Sequence, residues 1–130
     1  MTPHILVIDN RISLPRFIAM ELCAEGYQVS IHCDDLADLS TIQEINPDLI
    51  VLNWEPRRAS GLDICRQLRS TDSQIPIVII TAEDESSCQV VLELGAQTYL
   101  TKPFSMDDLL RVIQSQLKGK NRLLECCNSN

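Results

Sequence analysis

Residues Pro47–Asn53 read PDLIVLN, and the chain continues WEPR to Arg57. From Leu49 to Leu52 every residue is aliphatic, with none of the apolar and polar alternation of a strand that has one wet face. Such a run belongs to a strand covered on both sides, and hence to a parallel sheet with helices above and below it. The run stops at an amide, Asn53, followed by a tryptophan and a glutamate. In sheets of this kind, ligands and chemistry collect beyond the carboxyl ends of the strands. The residue at position 53 is therefore the first one to ask about.

Outward from this stretch, His4–Ile8 and Ile75–Ile80 have the same continuous aliphatic character, and Tyr27–His32 and Gln97–Thr101 complete a set of expected strands. Helical spacing alternates with them. Leu14–Glu25 is an expected helix with Phe17, Ile18, Leu22 and Cys23 on one face, closed by Gly26 acting as a left-handed cap. Leu36–Ile45 is stopped by Asn46-Pro47, and Gly61–Arg69 carries Leu62, Cys65 and Leu68 at helical spacing. Asp84–Leu94 ends at Gly95, and Ser105–Leu117 opens with Ser105 and Asp108 in capping-box positions. The expected fold class is α/β, with strands and helices alternating five times. Residues 1–118 form one domain in this reading. Residues 119–130, which sustain no period, are a linker or flexible tail.

Composition narrows the function. A formal charge of −7 argues against this domain gripping a nucleic-acid backbone, which needs clustered Lys and Arg. No apolar run is long enough for a membrane span, and MTPHILVIDN lacks the regions of a signal peptide, so a cytoplasmic protein without membrane contact is expected. Cys23, Cys33, Cys65, Cys88, Cys126 and Cys127 show no metal-ligand or CxxC spacing. Cys23, Cys65 and Cys88 fall in expected helices and Cys33 directly follows an expected strand, places where cysteine is usually a small core hydrophobe. There is no nucleophile set beside a base and no glycine-rich phosphate loop. His4 and His32 have no evident partner, so no enzyme is expected.

The expected strand ends present Asp9-Asn10, His32, Asn53, Thr81 and Thr101-Lys102. With the stretches ILVIDN, PDLIVLN, SGLDICRQLR, IPIVIITA and GAQTYLTKPF, this chain closely resembles the receiver domain of two-component response regulators from Thr2 to Leu117. The resemblance implies a CheY-like, flavodoxin-like doubly wound fold, (βα)5, with strand order 2-1-3-4-5. It implies that Asp9 and Asn10 stand at an acidic pair that holds Mg2+, and that Asn53 stands at the phospho-accepting aspartate. Thr81 and Lys102 then take the positions that contact the phosphoryl group. Tyr99 is the switch aromatic, and Pro103 follows a cis peptide bond.

The chain departs from that pattern where the chemistry is concentrated. A carboxylate can attack phosphorus to give an acyl phosphate, with a metal neutralising the incoming charge. The delocalised amide nitrogen of Asn53 is a poor nucleophile. Asn10 likewise replaces the acid closest to the metal with a neutral carbonyl. Asp9 against Lys102 makes a formally neutral pocket where the family has a net negative one, so Mg2+ is expected to bind weakly or not at all. Asp9 is the only matching acid, although Glu55, two residues past Asn53, could pair with Lys102. Pro56 comes one residue early, leaving Arg57 and Arg58 as a solvated basic loop, and Thr81–Gly95 is one residue short of the family's usual fourth-helix segment.

The resulting expectation is a pseudo-receiver: an atypical receiver domain in signal transduction that works by protein contact, independent of phosphorylation. Its expected face is the fourth helix, fifth strand and fifth helix, and its expected output is transcription, through an attached or partner domain. A DNA-binding domain C-terminal to it fits the resemblance. The charged dimer of one subfamily does not, because Gln97-Thr98 replaces its acidic pair and Arg111 is the one basic residue on the expected last helix. A homodimer through apolar contacts stays open. Two alternatives also stay open: a conventional receiver whose acceptor Asp has become Asn53, or a flavodoxin-like sensor of a small ligand.

Overall fold

Successive residues of the central strands point to opposite faces of the sheet, and both faces are apolar. On one side Leu6, Ile8, Ile50, Leu52, Ile77 and Ile79 pack with Ile42, Ile64, Cys65 and Leu68. On the other, Ile5, Val7, Leu49, Val51, Val78 and Ile80 meet Ile18, Leu22, Leu109 and Ile113. The two-residue strand period thus feeds two cores from one continuous run.

The computed structural model describes residues 2–9, 13–32, 39–53, 60–71, 74–81 and 98–128. Its elements are β1 (His4–Ile8), α1 (Ser13–Ala24), β2 (Gln28–His32), α2 (Leu39–Ile45), β3 (Leu49–Asn53), α3 (Ser60–Ser70), β4 (Ile77–Thr81), β5 (Thr98–Thr101) and a C-terminal helix (Met106–Asn128). The five strands form one sheet in the order β2-β1-β3-β4-β5, every pair parallel. α1 and the C-terminal helix cover one face, and α2 and α3 the other. This is the expected doubly wound fold. The helix expected at 84–94 lies outside the described residues, as do 36–38. Among the described residues no helix is long and apolar enough to cross a membrane.

Local chemistry explains the element ends. Gly26 sits at φ 96°, and its N–H donates to the Cys23 carbonyl at 3.0 Å while the Tyr27 N–H reaches the Leu22 carbonyl at 3.1 Å. That Schellman pair satisfies the last carbonyls of α1. Asn46 ends α2 at φ 51°, a left-handed position that asparagine tolerates. Ser105 Oγ accepts the Asp108 N–H at 3.1 Å and caps the C-terminal helix.

Several expectations need correction. Phe17 and Cys23 were expected on the buried face of the first helix, but both are exposed, Phe17 at 49%. The buried stripe is Pro15, Ile18 and Leu22, and these two residues flank it. Of the cysteines expected in cores, Cys65 is fully buried, and burial pushes its thiol up to about 11. Cys33 and Cys88 lie outside the described residues. The last helix does not stop at Leu117 but continues through 119–128, since backbone hydrogen bonding there needs no apolar stripe and no proline interrupts it. β3 and β4 each end one residue later than expected, at Asn53 and Thr81, because both polar residues keep their ladder partners, Asn53 opposite Ile80 and Thr81 opposite Thr101.

At the amino end of the sheet the polar groups close on one another. The His4 N–H donates to Asp48 Oδ2 at 2.8 Å, and the Asp48 N–H returns a bond to the His4 carbonyl at 2.7 Å. The His4 ring nitrogen Nε2 and Ser30 Oγ are 2.7 Å apart. His4, which offered no partner in the sequence, is a structural tie between β1, β2 and the start of β3.

Candidate functional site

The strand ends gather at the opposite edge. Asp9 follows β1 directly, and its N–H extends the ladder to the His32 carbonyl at 3.0 Å. This holds the Asp9 carboxylate in an almost closed environment, with 3% of the residue exposed. Asn53, the last residue of β3, donates from Nδ2 to Asp9 Oδ1 at 3.1 Å. A hydrogen bond to an ionised acceptor is among the stronger kinds. Asn53 Oδ1 is buried and has no hydrogen-bond partner among the described residues. Leaving such an oxygen unmet costs roughly 1–3 kcal/mol.

Thr81 closes β4 and is fully buried. Its carbonyl accepts the Lys102 N–H at 2.8 Å, which fixes the start of the loop after β5 against the end of β4. The Lys102–Pro103 peptide is cis. Tyr99 lies opposite Ile79 in β5, half-buried against the core under α2 and α3. The structure therefore joins Asp9 to Asn53 directly and places Thr81 and Lys102 along the same edge. Asn10, Trp54, Glu55, Arg57 and Arg58 lie outside the described residues.

Mg2+ prefers near-octahedral hard oxygens, anionic ones above all. A cation shared by Asp9 and Asn53 would need an oxygen from each turned inward. Here an N–H of the amide faces the carboxylate, and turning the amide over would set two oxygens against each other. Among the described residues no group of three His, Cys, Asp or Glu could hold a metal. As arranged, the amide N–H of Asn53 occupies the place beside the Asp9 carboxylate.

Next to this edge is a cleft of about 540 Å³, lined by Leu14, Phe17, Lys102, Pro103, Phe104 and Met106. It opens where the first turns of α1 meet the loop that enters the C-terminal helix. Of its residues, only Lys102 and Pro103 were expected at the strand-end site, while Phe17 was expected in the core. The available signal was the aromatic in each flank, Phe17 within ISLPRF and Phe104 within KPFSM, but nothing in a linear reading brings those two flanks together.

The response regulator receiver domain model matches residues 5–114. Response regulator MprA of Mycobacterium bovis (strain BCG / Pasteur 1173P2) is 37% identical over 119 residues, covering 91% of this chain and 52% of that protein. YkoG of Bacillus subtilis (strain 168), an uncharacterized transcriptional regulatory protein, is 36% identical over 116 residues, covering 88% of this chain and 51% of that one. The chain thus spans about half the length of these relatives. Among solved structures, the receiver domain of the Francisella response regulator 1452 superposes with a TM-score of 0.83 at 28% identity, covering 92% of this chain and 99% of that chain. Together with the sheet order and the strand-end edge, these matches show that the chain belongs to the receiver domain family of response regulators.

Proposed function

We propose that this receiver is a pseudo-receiver, which regulates by protein contact without phosphorylation and binds Mg2+ weakly or not at all. The observation that carries the reading is the Asn53 amide donating to Asp9 at 3.1 Å. In the family pattern a carboxylate at this position forms the acyl phosphate. An amide nitrogen, its lone pair delocalised and its N–H engaged with an acid, is a poor nucleophile toward phosphorus. Asn10 removes a second acid from the same pocket. Thr81 and Lys102 occupy the phosphoryl-contact positions and Tyr99 the switch position, serving here to hold the edge together rather than to read a phosphate.

The contact surface in this reading is the face made by the fourth helix of the family pattern, β5 and the C-terminal helix. The output is transcriptional, through a DNA-binding domain that follows or a partner that carries one. The name of YkoG, a transcriptional regulatory protein about twice as long as the matched segment, supports that output. The domain itself, at −7, does not contribute the grip on DNA.

Trp54 is the only tryptophan and adjoins Asn53, so its fluorescence tests the proposal. Titration with MgCl2, alone and with beryllofluoride, should leave the emission unchanged up to millimolar concentrations. A saturable, Mg2+-dependent change would contradict the reading.

A further inference from the structure

The sheet has an edge that the receiver reading does not use. β2, QVSIH from Gln28 to His32, is the outermost strand on the β1 side. Its Gln28 N–H donates to the Pro3 carbonyl at 3.0 Å, and its His32 carbonyl accepts the Asp9 N–H at 3.0 Å. In the parallel register with β1, the backbone groups of Gln28, Ser30 and His32 therefore turn inward. Those of Val29 and Ile31 turn outward, and among the described residues they meet no hydrogen-bond partner. Edge strands are usually blunted by charge, proline or a bulge. β2 contains no Lys, Arg, Asp, Glu or Pro, pairs with β1 without a break, and leaves Ile31 40% exposed. We propose that this edge pairs antiparallel with the same edge of a second copy, joining the two sheets about a twofold axis at Ser30.

The occupant follows from the register. With Ser30 opposite its own symmetry mate, Val29 of one copy lies opposite Ile31 of the other, twice. The outward groups of these two residues then exchange both N–H···O bonds, as in the hydrogen-bonded pair of an antiparallel ladder. Val29 packs on the core beneath α1, and Ile31, two residues on, shares its face, so each pair covers the exposed isoleucine with a valine. On the other face Gln28 lies opposite His32, a polar pair, and no acid or base sits on the strand to repel its mate. Charge complementarity extends the fit to α1, which joins two parallel strands and so runs antiparallel to β2. At 100° per residue from buried Ile18 and Leu22, Leu14 and Phe17 lie on one flank of α1, and Arg16, Ala19 and Cys23 on the other. The first flank lines the cleft with Phe104 and Met106, so the second is the one toward β2. The twofold sets the two α1 helices antiparallel, bringing exposed Arg16 of one copy beside exposed Glu25 of the other, again twice. Two short strand edges and a helix flank make an interface at the small end of the usual range, so the dimer exchanges with monomer. β5, at the opposite edge, stays uncovered. The dimer does not depend on whether Asn53 takes a phosphoryl group.

The test is sedimentation of the full chain from about 10 µM to about 1 mM, with ¹⁵N–¹H NMR over the same range. A reversible monomer–dimer equilibrium should appear. The amide signals of Val29 and Ile31 should shift with concentration and exchange with solvent more slowly as the dimer fills. Ile31→Lys puts two charges into the seam and should weaken association about tenfold or more. Arg16→Glu and Glu25→Arg should each weaken it about fivefold, whereas the double variant should restore it, because exchanging the charges rebuilds both ion pairs. If Ile31→Lys fails to fold, the charge exchange at the two exposed sites still decides. The proposal is overturned by a chain that stays monomeric at about 1 mM, by concentration-dependent shifts centred on β5 or the C-terminal helix, by a dimer that Ile31→Lys leaves intact, or by charge variants that do not compensate.

Discussion

The two ends of the sheet are built from similar residues and finished differently. At the amino end, His4, Ser30 and Asp48 exchange short hydrogen bonds in a closed set that links three adjacent strands. At the carboxyl end, Asn53 donates one hydrogen bond to Asp9, and the amide oxygen beside it has no partner among the described residues. A folded chain stabilises itself by satisfying its buried polar groups. An end that leaves one unmet is held in place by its surroundings, here the apolar layers on both faces of β1 and β3. The amino end fastens the sheet, while the carboxyl end leaves a buried amide oxygen without a hydrogen-bond partner among the described residues.

The layers that serve both ends give the largest expected effect. Leu52→Ala removes a fully buried side chain from β3 and should cost about 3 kcal/mol in urea unfolding, moving the midpoint with little change in slope. Asn53→Asp comes next, because it sets a second carboxylate against Asp9 across a 3.1 Å contact. It should destabilise the chain by about 2 kcal/mol at neutral pH, and added MgCl2 should recover part of the loss. Asp48→Ala breaks the closed end, leaving the His4 N–H without its acceptor, and should cost about 1.5 kcal/mol. Asn53→Ala, a deletion of similar size at the open end, should cost less than about 1 kcal/mol, since it removes the unmatched oxygen along with the one hydrogen bond. Equal costs for these last two would show that the two ends of the sheet are held alike.

The fold was legible because its strongest signal is also its physical cause. LIVL in β3 lacks alternation since Leu49 and Val51 face one core and Ile50 and Leu52 the other. Gly26 and Ser105 were readable as caps for the same reason, each being a residue type that a specific backbone group requires. Errors fell where a sequence pattern is a degree too coarse. Phe17 and Cys23 lie one step around the helix from the buried stripe, and periodicity alone does not resolve that step. Asn53 and Thr81 were placed one residue beyond their aliphatic runs because they are polar, although the strand ladder carries them. The hydrogen bond between Asp9 and Asn53 spans 44 positions, and only the family resemblance brought the two together beforehand. The cleft at Lys102 depends on how a helix and a loop meet, which no local pattern records.

Asn53 is proposed to take no part in phosphoryl transfer, and intact-protein mass spectrometry is the direct test. The chain, incubated with acetyl phosphate and MgCl2 and measured without acid or base treatment, should keep its unmodified mass. A hydroxylamine-labile gain of one phosphoryl group would contradict the account.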